Sequence, residues 1–450
     1  MTRRVVIVGG GIAGLTVAER LTALVDPGAI TVELREATDR VGGKLKTTPF
    51  VGRPAVDEGA DAFLARAPAG VALAKRVGLG DRLTSPTAAS AAVWHERLHP
   101  IPEGLLLGVP GAITGLATSG LLSMRGKLRA ALEPVLPRTR DIGDSIGRLV
   151  RARFGNEVHE RLVDALVGSI YAADTDAFSL AMVPQLADLA THRSLLLGAR
   201  STQRNRPAAN GPLFYAPSDG METLATATKV AAQTAGATIS TGAPVATIAH
   251  DGTAWRVDGD SADVVVLATP AAPASSLVAN AEPDLAAVLA AMDHAGVVII
   301  TMVVEDWPDR LRGRSGYLVP KPDQGLVTAA SFGSQKWAHW SGDGEIVRVS
   351  LGRDGLDVMG RSDDDLVGAA VTEVGHHVGL DLQPTVVRVS RWPLAFPQYR
   401  PGHQRWLTAV DAATPPGLFL TGASYRGVGV PACIADAERV ASAIATFLTT

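Results

Sequence analysis

Glycines at positions 9, 11 and 14, within GGGIAG, follow the apolar run Val5–Val8 and open an amphipathic stretch from Ile12 to about Leu24. A strand–turn–helix of this kind brings backbone N–H groups and a helix N-terminus up to an anion. Gly9 permits the tight turn, Gly11 lets the backbone approach a pyrophosphate, and Gly14 lets the helix pack closely on the strand. Gly10, Ile12 and Ala13 complete the candidate cradle. The bare GxGxxG spacing is a weak signal, and its context strengthens it: Glu36 ends a second apolar run, Ile30–Arg35, 22 residues after Gly14. A carboxylate there accepts hydrogen bonds from ribose hydroxyls, so a dinucleotide with a free 2′-hydroxyl is predicted, with Ala37 beside it.

Three further segments carry residue types suited to a bound ring system. EATDRVGGKL (36–45) sets a second glycine pair and a base, Gly43 and Lys44, directly after the ribose carboxylate. DEGADAF (57–63) offers Gly59, Ala60, Asp61 and Ala62, small or backbone-exposing positions past which a flat ring can run. Near the other end, GLFLTGASYRGVGVPACI supplies Gly422, then Val428, Gly429 and Val430 just before a helix. A helix N-terminus aimed at the edge of a bound ring stabilises negative charge on that ring. Val245 and Trp392 complete the candidate cofactor contacts.

Cys433 is the single cysteine, so neither an intrachain disulfide nor a cysteine-based metal site can form, and no metal site is predicted. Cys433 itself reads as a small packing residue, and His403, close to Trp406, as structural.

Positioning these residues requires a β–α–β unit with a parallel sheet, which Val5–Val8, Ile12–Leu24 and Ile30–Arg35 supply in order. A helix over Met221–Ala235 and the continuous apolar run Val264–Ala268 return the chain to that sheet, making the unit discontinuous. Short apolar runs at Gly296–Val304, Gly316–Val319, Leu326–Ser331 and Ile346–Leu351 predict an antiparallel sheet, followed by a helix over Asp363–Val378. Strands Val386–Arg391 and Leu418–Thr421 and a helix over Ile434–Leu448 close the chain. Ala69–Arg153 reads as helix and loop without a sheet, and Arg200–Pro212 as an exposed loop.

The fold class expected is α/β (α+β overall): a discontinuous Rossmann-like dinucleotide domain over 1–68, 221–290 and 386–450, a helical insertion over 69–205, and an antiparallel-sheet substrate domain over 206–220 and 291–385.

Composition excludes other classes. Hydrophobic residues are 46% and charged residues 19% of 450, which suits a packed globular chain. A net charge of −3 carries no global attraction to nucleic acid. The apolar run after MTRR is too short for a signal peptide, so a cytoplasmic protein is expected. Gly104–Met124 is uncharged over 21 residues, but five glycines and Pro110 argue against a membrane span. With Arg125, Lys127, Arg129, Arg138 and Arg140 nearby, that region is compatible with resting on a membrane surface and equally with a pocket wall.

From Arg4 to Phe447 the chain resembles the protoporphyrinogen/coproporphyrinogen oxidases of the flavin amine-oxidase superfamily. ERLHPIPEG (96–104), GSIYAADTDAFSLAMVPQL (168–186), GPLFYAPSDGMETL (211–224), WPLAFPQYRPGH (392–403) and GVGVPACI (427–434) are similar, in order, to segments of that family. Ala173, Phe178 and Ala432 depart from its usual glycine, leucine and aspartate, which puts substrate detail in doubt more than fold.

The resemblance implies non-covalent FAD and a six-electron oxidation of a porphyrinogen, with O2 reoxidising the flavin to give H2O2. It names no side chain as acid or base. The branch most similar is the Gram-positive type that acts on coproporphyrinogen III. Its substrate's propionates make Arg66, Arg97 and Arg426 candidate partners, with Tyr171 a candidate pocket residue or a core tyrosine. A contact with the haem-pathway ferrochelatase is a further expectation. Protoporphyrinogen IX oxidation, another enzyme of the superfamily (amine oxidase or carotenoid desaturase) and a non-catalytic flavoprotein stay open.

Overall fold

Val5, Val6, Ile7 and Val8 are all buried because strand Arg3–Val8 lies at the centre of a five-stranded parallel sheet. In this computed structural model, which describes residues 2–26, 28–138, 143–205, 211–252 and 254–449, the sheet runs Thr238–Ser240, Ile30–Arg35, Arg3–Val8, Val264–Leu267, Leu418–Leu420. Its register explains the clustering of distant segments. Val8 pairs with Arg35 on one side and Leu267 on the other, and Leu267 with Leu420. Four strands therefore end together, and the residues just beyond them, Gly9, Glu36, Ala268 and Thr421, emerge at one edge. Ligands of open parallel sheets bind outside that carboxyl edge. Helices Ile12–Leu24 and Val430–Thr449 pack on each other across one face, burying Leu15, Leu21, Ile434 and Ile444 in a shared core.

The second layer is a seven-stranded sheet in the order Val386–Pro397, His294–Val304, Glu345–Leu351, Val327–Phe332, Arg314–Leu318, Ser90–His95, Arg97–Pro100. Helix Asp363–Val378 covers it, burying Leu366, Ala370, Val374 and Val378 at four-residue spacing against Val298, Ile300, Val347 and Val349. Ser362 caps that helix by accepting the Asp365 N–H, and Gly379 ends it at φ 64°. A third unit, between the sheets in sequence, is helical: Met124–Ala131, Ile146–Phe154, a π-helical stretch His159–Gly168, Pro184–Thr191 and Leu195–Asn205.

Helices Ile12–Leu24 and Asp363–Val378 and strand Ile30–Arg35 fall where periodicity puts them. Three readings need correction. The stretch 69–153 contains strands Ser90–His95 and Arg97–Pro100, which close the edge of the seven-stranded sheet rather than standing apart as helix and loop. Strand Val386–Pro397 pairs along His294–Val304, so the dinucleotide unit does not resume at 386. Arg200–Asn205 continues a helix rather than opening a loop, while 206–210, like Arg140, lies outside the described residues.

Candidate active site

At the carboxyl edge of the parallel sheet a cavity of about 800 Å³ takes its walls from both sheets and from the helical unit. Gly9, Gly11, Ile12, Ala13, Glu36 and Ala37 line it, as do Gly43, Lys44, Gly59 and Ala60. Val245, Trp392, Gly422, Val428 and Val430 complete the sequence-predicted residues brought there. Gly10, Gly14, Asp61, Ala62 and Gly429 are not on its lining. Two of these support the wall from behind. The Gly10 N–H donates to Glu36 Oε2 at 2.7 Å, and a Cβ on Gly14 would sit 2.0 Å from the Gly9 carbonyl oxygen.

Glu36 Oε1 accepts from the Thr38 N–H and hydroxyl, both at 2.8 Å, so the carboxylate is oriented with lone pairs left for a ligand. Asp61 belongs to a charge cluster with Lys336 at 2.7 Å and Arg348 at 3.2 Å. Burial alone would raise its pKa, but those two cations hold it well below the usual carboxylate range.

Lys44 is the least compensated charge in the site. Its Nζ donates to the Ala395 carbonyl at 2.7 Å, and no carboxylate lies within ion-pair distance among the described residues. Burial pulls its pKa down to about 8. The surface it retains faces the cavity. By contrast, Arg353, also on the lining, is neutralised by a buried pair with Asp164 at 3.0 Å, and Arg35 by Glu33 and Asp258.

FAD fits these residues. A Cβ on Gly11 would meet nothing within 4 Å, so the turn is open towards the cavity, whereas one on Gly59 would strike the Lys44 carbonyl oxygen at 2.2 Å. Thr269 Oγ1, on the lining beyond Val264–Leu267, is buried without a hydrogen-bond partner among the described residues. An uncompensated cation, a waiting hydroxyl and a glycine turn at a helix N-terminus suit a diphosphate-bearing ligand.

The predicted substrate residues are not brought to the cavity. Arg66 and Arg97 are exposed and absent from its lining. Arg426 is paired with Asp411 at 2.9 Å, which uses up its charge. Tyr171 packs its ring on Phe178 with centroids 4.8 Å apart, the core alternative, while Gly168, Ser169 and Ala172 beside it do line the cavity. His403 is structural, bonded through Nε2 to the Tyr425 carbonyl at 2.8 Å. Burial pushes the Cys433 thiol up to about 12.

Sequence reasoning did not single out His294, Ser424, Thr269 or Arg353, all on the lining. Each stands at a strand end or in the loop beyond it, and no local pattern marks them.

Residues 12–445 match the family profile described as flavin containing amine oxidoreductase. The chain belongs to that family. Among relatives of this oxidoreductase, the coproporphyrinogen III oxidase of Mycobacterium leprae is 34% identical, covering 98% of each chain. That of Bacillus subtilis is 30% identical, covering 99% of this chain and 98% of its own. A crystal structure of a protein assigned as a protoporphyrinogen oxidase from Exiguobacterium superposes with a TM-score of 0.87 at 28% identity over 99% of both chains. Cyclohexylamine oxidase of Brevibacterium oxydans shares the fold, with a TM-score of 0.69 at 17% identity.

Proposed function

We propose that this flavin-containing oxidoreductase converts coproporphyrinogen III to coproporphyrin III, a six-electron oxidation in three cycles with O2 as acceptor and H2O2 as product. The observation that carries it is a cavity whose wall joins the FAD-suited glycine turn to an apolar surface of Val297, Ile299, Phe396 and Leu277, which suits a flat macrocycle. Similarity over nearly the full length to relatives of that name supports the substrate. FAD, bound non-covalently, would take up the electrons of each dehydrogenation and pass them to O2.

The chain's own residues orient the components and shape the field. The Gly9–Gly11 turn and the N-terminus of Ile12–Leu24 hold the diphosphate, and Glu36 accepts from the ribose. The N-terminus of Val430–Thr449, with Val428 and Val430 on the lining, and the Lys44 ammonium stabilise negative charge on the ring.

Protoporphyrinogen IX is the second reading, favoured by one observation: Lys44 is the only lining cation without a carboxylate partner among the described residues, and a substrate with fewer propionates suits that poverty. Anaerobic mixing with each porphyrinogen, monitored by flavin bleaching and then by porphyrin fluorescence in air, decides between them. Faster turnover of coproporphyrinogen supports the first reading, preference for protoporphyrinogen the second, and bleaching by neither refutes both.

Among the described residues no helix is long and apolar enough to cross a membrane. A peripheral contact at the cytoplasmic face of an anionic membrane is part of the proposal. Its support is the exposed row Met124, Leu128, Leu132 and Val135, flanked by Arg125, Lys127 and Arg129. Co-sedimentation with anionic but not neutral vesicles tests it. Handover of a sparingly soluble porphyrin to ferrochelatase would use a direct contact, tested by cross-linking the two enzymes during turnover.

A further inference from the structure

His294 begins the long strand His294–Val304, and its half-buried ring lines the cavity. Its Nε2 stands 3.3 Å from the hydroxyl of Ser424, which also lines the cavity and comes from the loop after Leu418–Leu420. Ser424 Oγ already accepts the Ala271 N–H at 3.0 Å, so its own hydrogen is free to donate to Nε2. The tautomer with its proton on Nδ1 leaves Nε2 as an unprotonated acceptor reached through Ser424.

We propose that His294, through the Ser424 hydroxyl, takes the proton released at each dehydrogenation of the bound substrate. This rests on the flavin-dependent oxidation proposed above. Each dehydrogenation would pass one meso C–H hydrogen, with both bonding electrons, to the flavin and release one N–H proton, the N–H electron pair staying behind in a new C=N bond; across the three cycles a tautomerisation moves one further meso C–H proton to nitrogen, so that the porphyrin keeps two N–H groups. The remaining proton passes to Ser424 as the Ser424 proton passes to His294 Nε2, and then on to solvent.

The surroundings suit that task. Burial, and after it the Lys44 charge, pull the His294 pKa down to about 4, so the ring is neutral and able to accept at neutral pH. Loss of hydride makes the substrate cationic and its N–H far more acidic, so a weak base suffices. The imidazolium then formed faces Lys44 and is unstable there, which drives the proton onward. Asp293, the other charge facing it, is held by Arg400 Nε at 3.0 Å.

The test uses the holoenzyme and the variants His294→Gln and Ser424→Ala. With FAD retained, His294→Gln should slow anaerobic flavin bleaching by the porphyrinogen on the order of 10²-fold, and Ser424→Ala on the order of tenfold. The wild-type rate should fall at low pH as His294 protonates, and that limb should vanish in His294→Gln. Independently of turnover, 15N spectra of histidine-labelled protein should show the His294 ring neutral at pH 7 with Nε2 unprotonated. An unchanged bleaching rate in His294→Gln, or a proton on Nε2, overturns the inference. So does a slowed His294→Gln that keeps the low-pH limb, the mark of a merely structural residue. A wild type bleached by no porphyrinogen overturns the proposed substrate instead, and the ring tautomer then decides the inference alone.

Discussion

Replacing Lys44 by Met should make the flavin-free protein more stable at neutral pH. In the folded chain the ammonium is desolvated without a carboxylate partner, and its pKa falls from 10.5 to about 8. At about 1.4 kcal/mol per unit, holding that proton in the folded state is unfavourable by about 3 kcal/mol. Removing the amine also removes the bond to the Ala395 carbonyl, worth about 1 kcal/mol. The net gain expected at pH 7 is about 2 kcal/mol. The pH dependence gives the sharper signature. Between about 8 and 10.5 the unfolded chain still holds the Lys44 proton while the folded chain has released it, so wild-type stability rises with pH across that window. The variant lacks this rise, and its advantage should shrink to nothing or reverse by the top of the window. Urea denaturation of both flavin-free proteins at pH 7 and at about 10 measures it. A Lys44→Met protein that is no more stable at pH 7, or whose difference from the wild type is the same at both pH values, refutes the reasoning.

A Cβ at position 14 would lie 2.0 Å from the Gly9 carbonyl oxygen, a backbone atom that cannot step aside. Gly14→Ala should therefore destabilise by about 1–3 kcal/mol and yield protein purified without yellow colour, read from the flavin absorbance. Arg353→Met leaves Asp164, 1% exposed, as a buried charge, with a loss of about 3–5 kcal/mol at pH 7. In the wild type, burial is outweighed by Arg353 and the Thr175 hydrogen bonds and the Asp164 pKa is lowered, so this stability is lost as pH falls; in the variant only Thr175 opposes burial, and the loss with falling pH should weaken or reverse. Thermal unfolding from pH 7 down to about 3 tests the difference in slope. Cys433, buried with its thiol pushed up to about 12, should not react with a disulfide reagent until the protein unfolds.

The dinucleotide end of the site was legible because local chemistry dictates it. A glycine turn, the helix it starts and a carboxylate ending the next strand are specified within 36 residues, and strand register then brings them to one edge. The other end was not, because it is assembled from strand ends far apart in sequence. His294 stands next to Ser424 only because strands Val264–Leu267 and Leu418–Leu420 are neighbours and His294–Val304 crosses nearby. Ser90–His95 was missed for a related reason. Its run SAAVWH reads weakly as a strand, and the partner that makes it one, Arg314–Leu318, lies more than 200 residues on. Of the candidate arginines, Arg426 is spent on Asp411, which sequence spacing does not reveal, while Arg66 and Arg97 stand exposed and off the cavity lining.

The charge count of the wall also bears on how a porphyrinogen can lie in it. Arg35 and Arg353 are committed to carboxylates of the protein, and among the described residues Lys44 alone remains. Coproporphyrinogen carries four propionates, so burying them all would leave most without a counter-charge, at several kcal/mol each. The macrocycle must then enter with its apolar face against Val297, Ile299 and Phe396 and its carboxylates kept in water or at the rim. Discrimination between substrates with different numbers of propionates would arise at the mouth, where hydration sets the balance, rather than in the wall. It should therefore weaken as salt screens the rim, while the rate of flavin reduction by bound substrate, set by the groups inside, should hardly change.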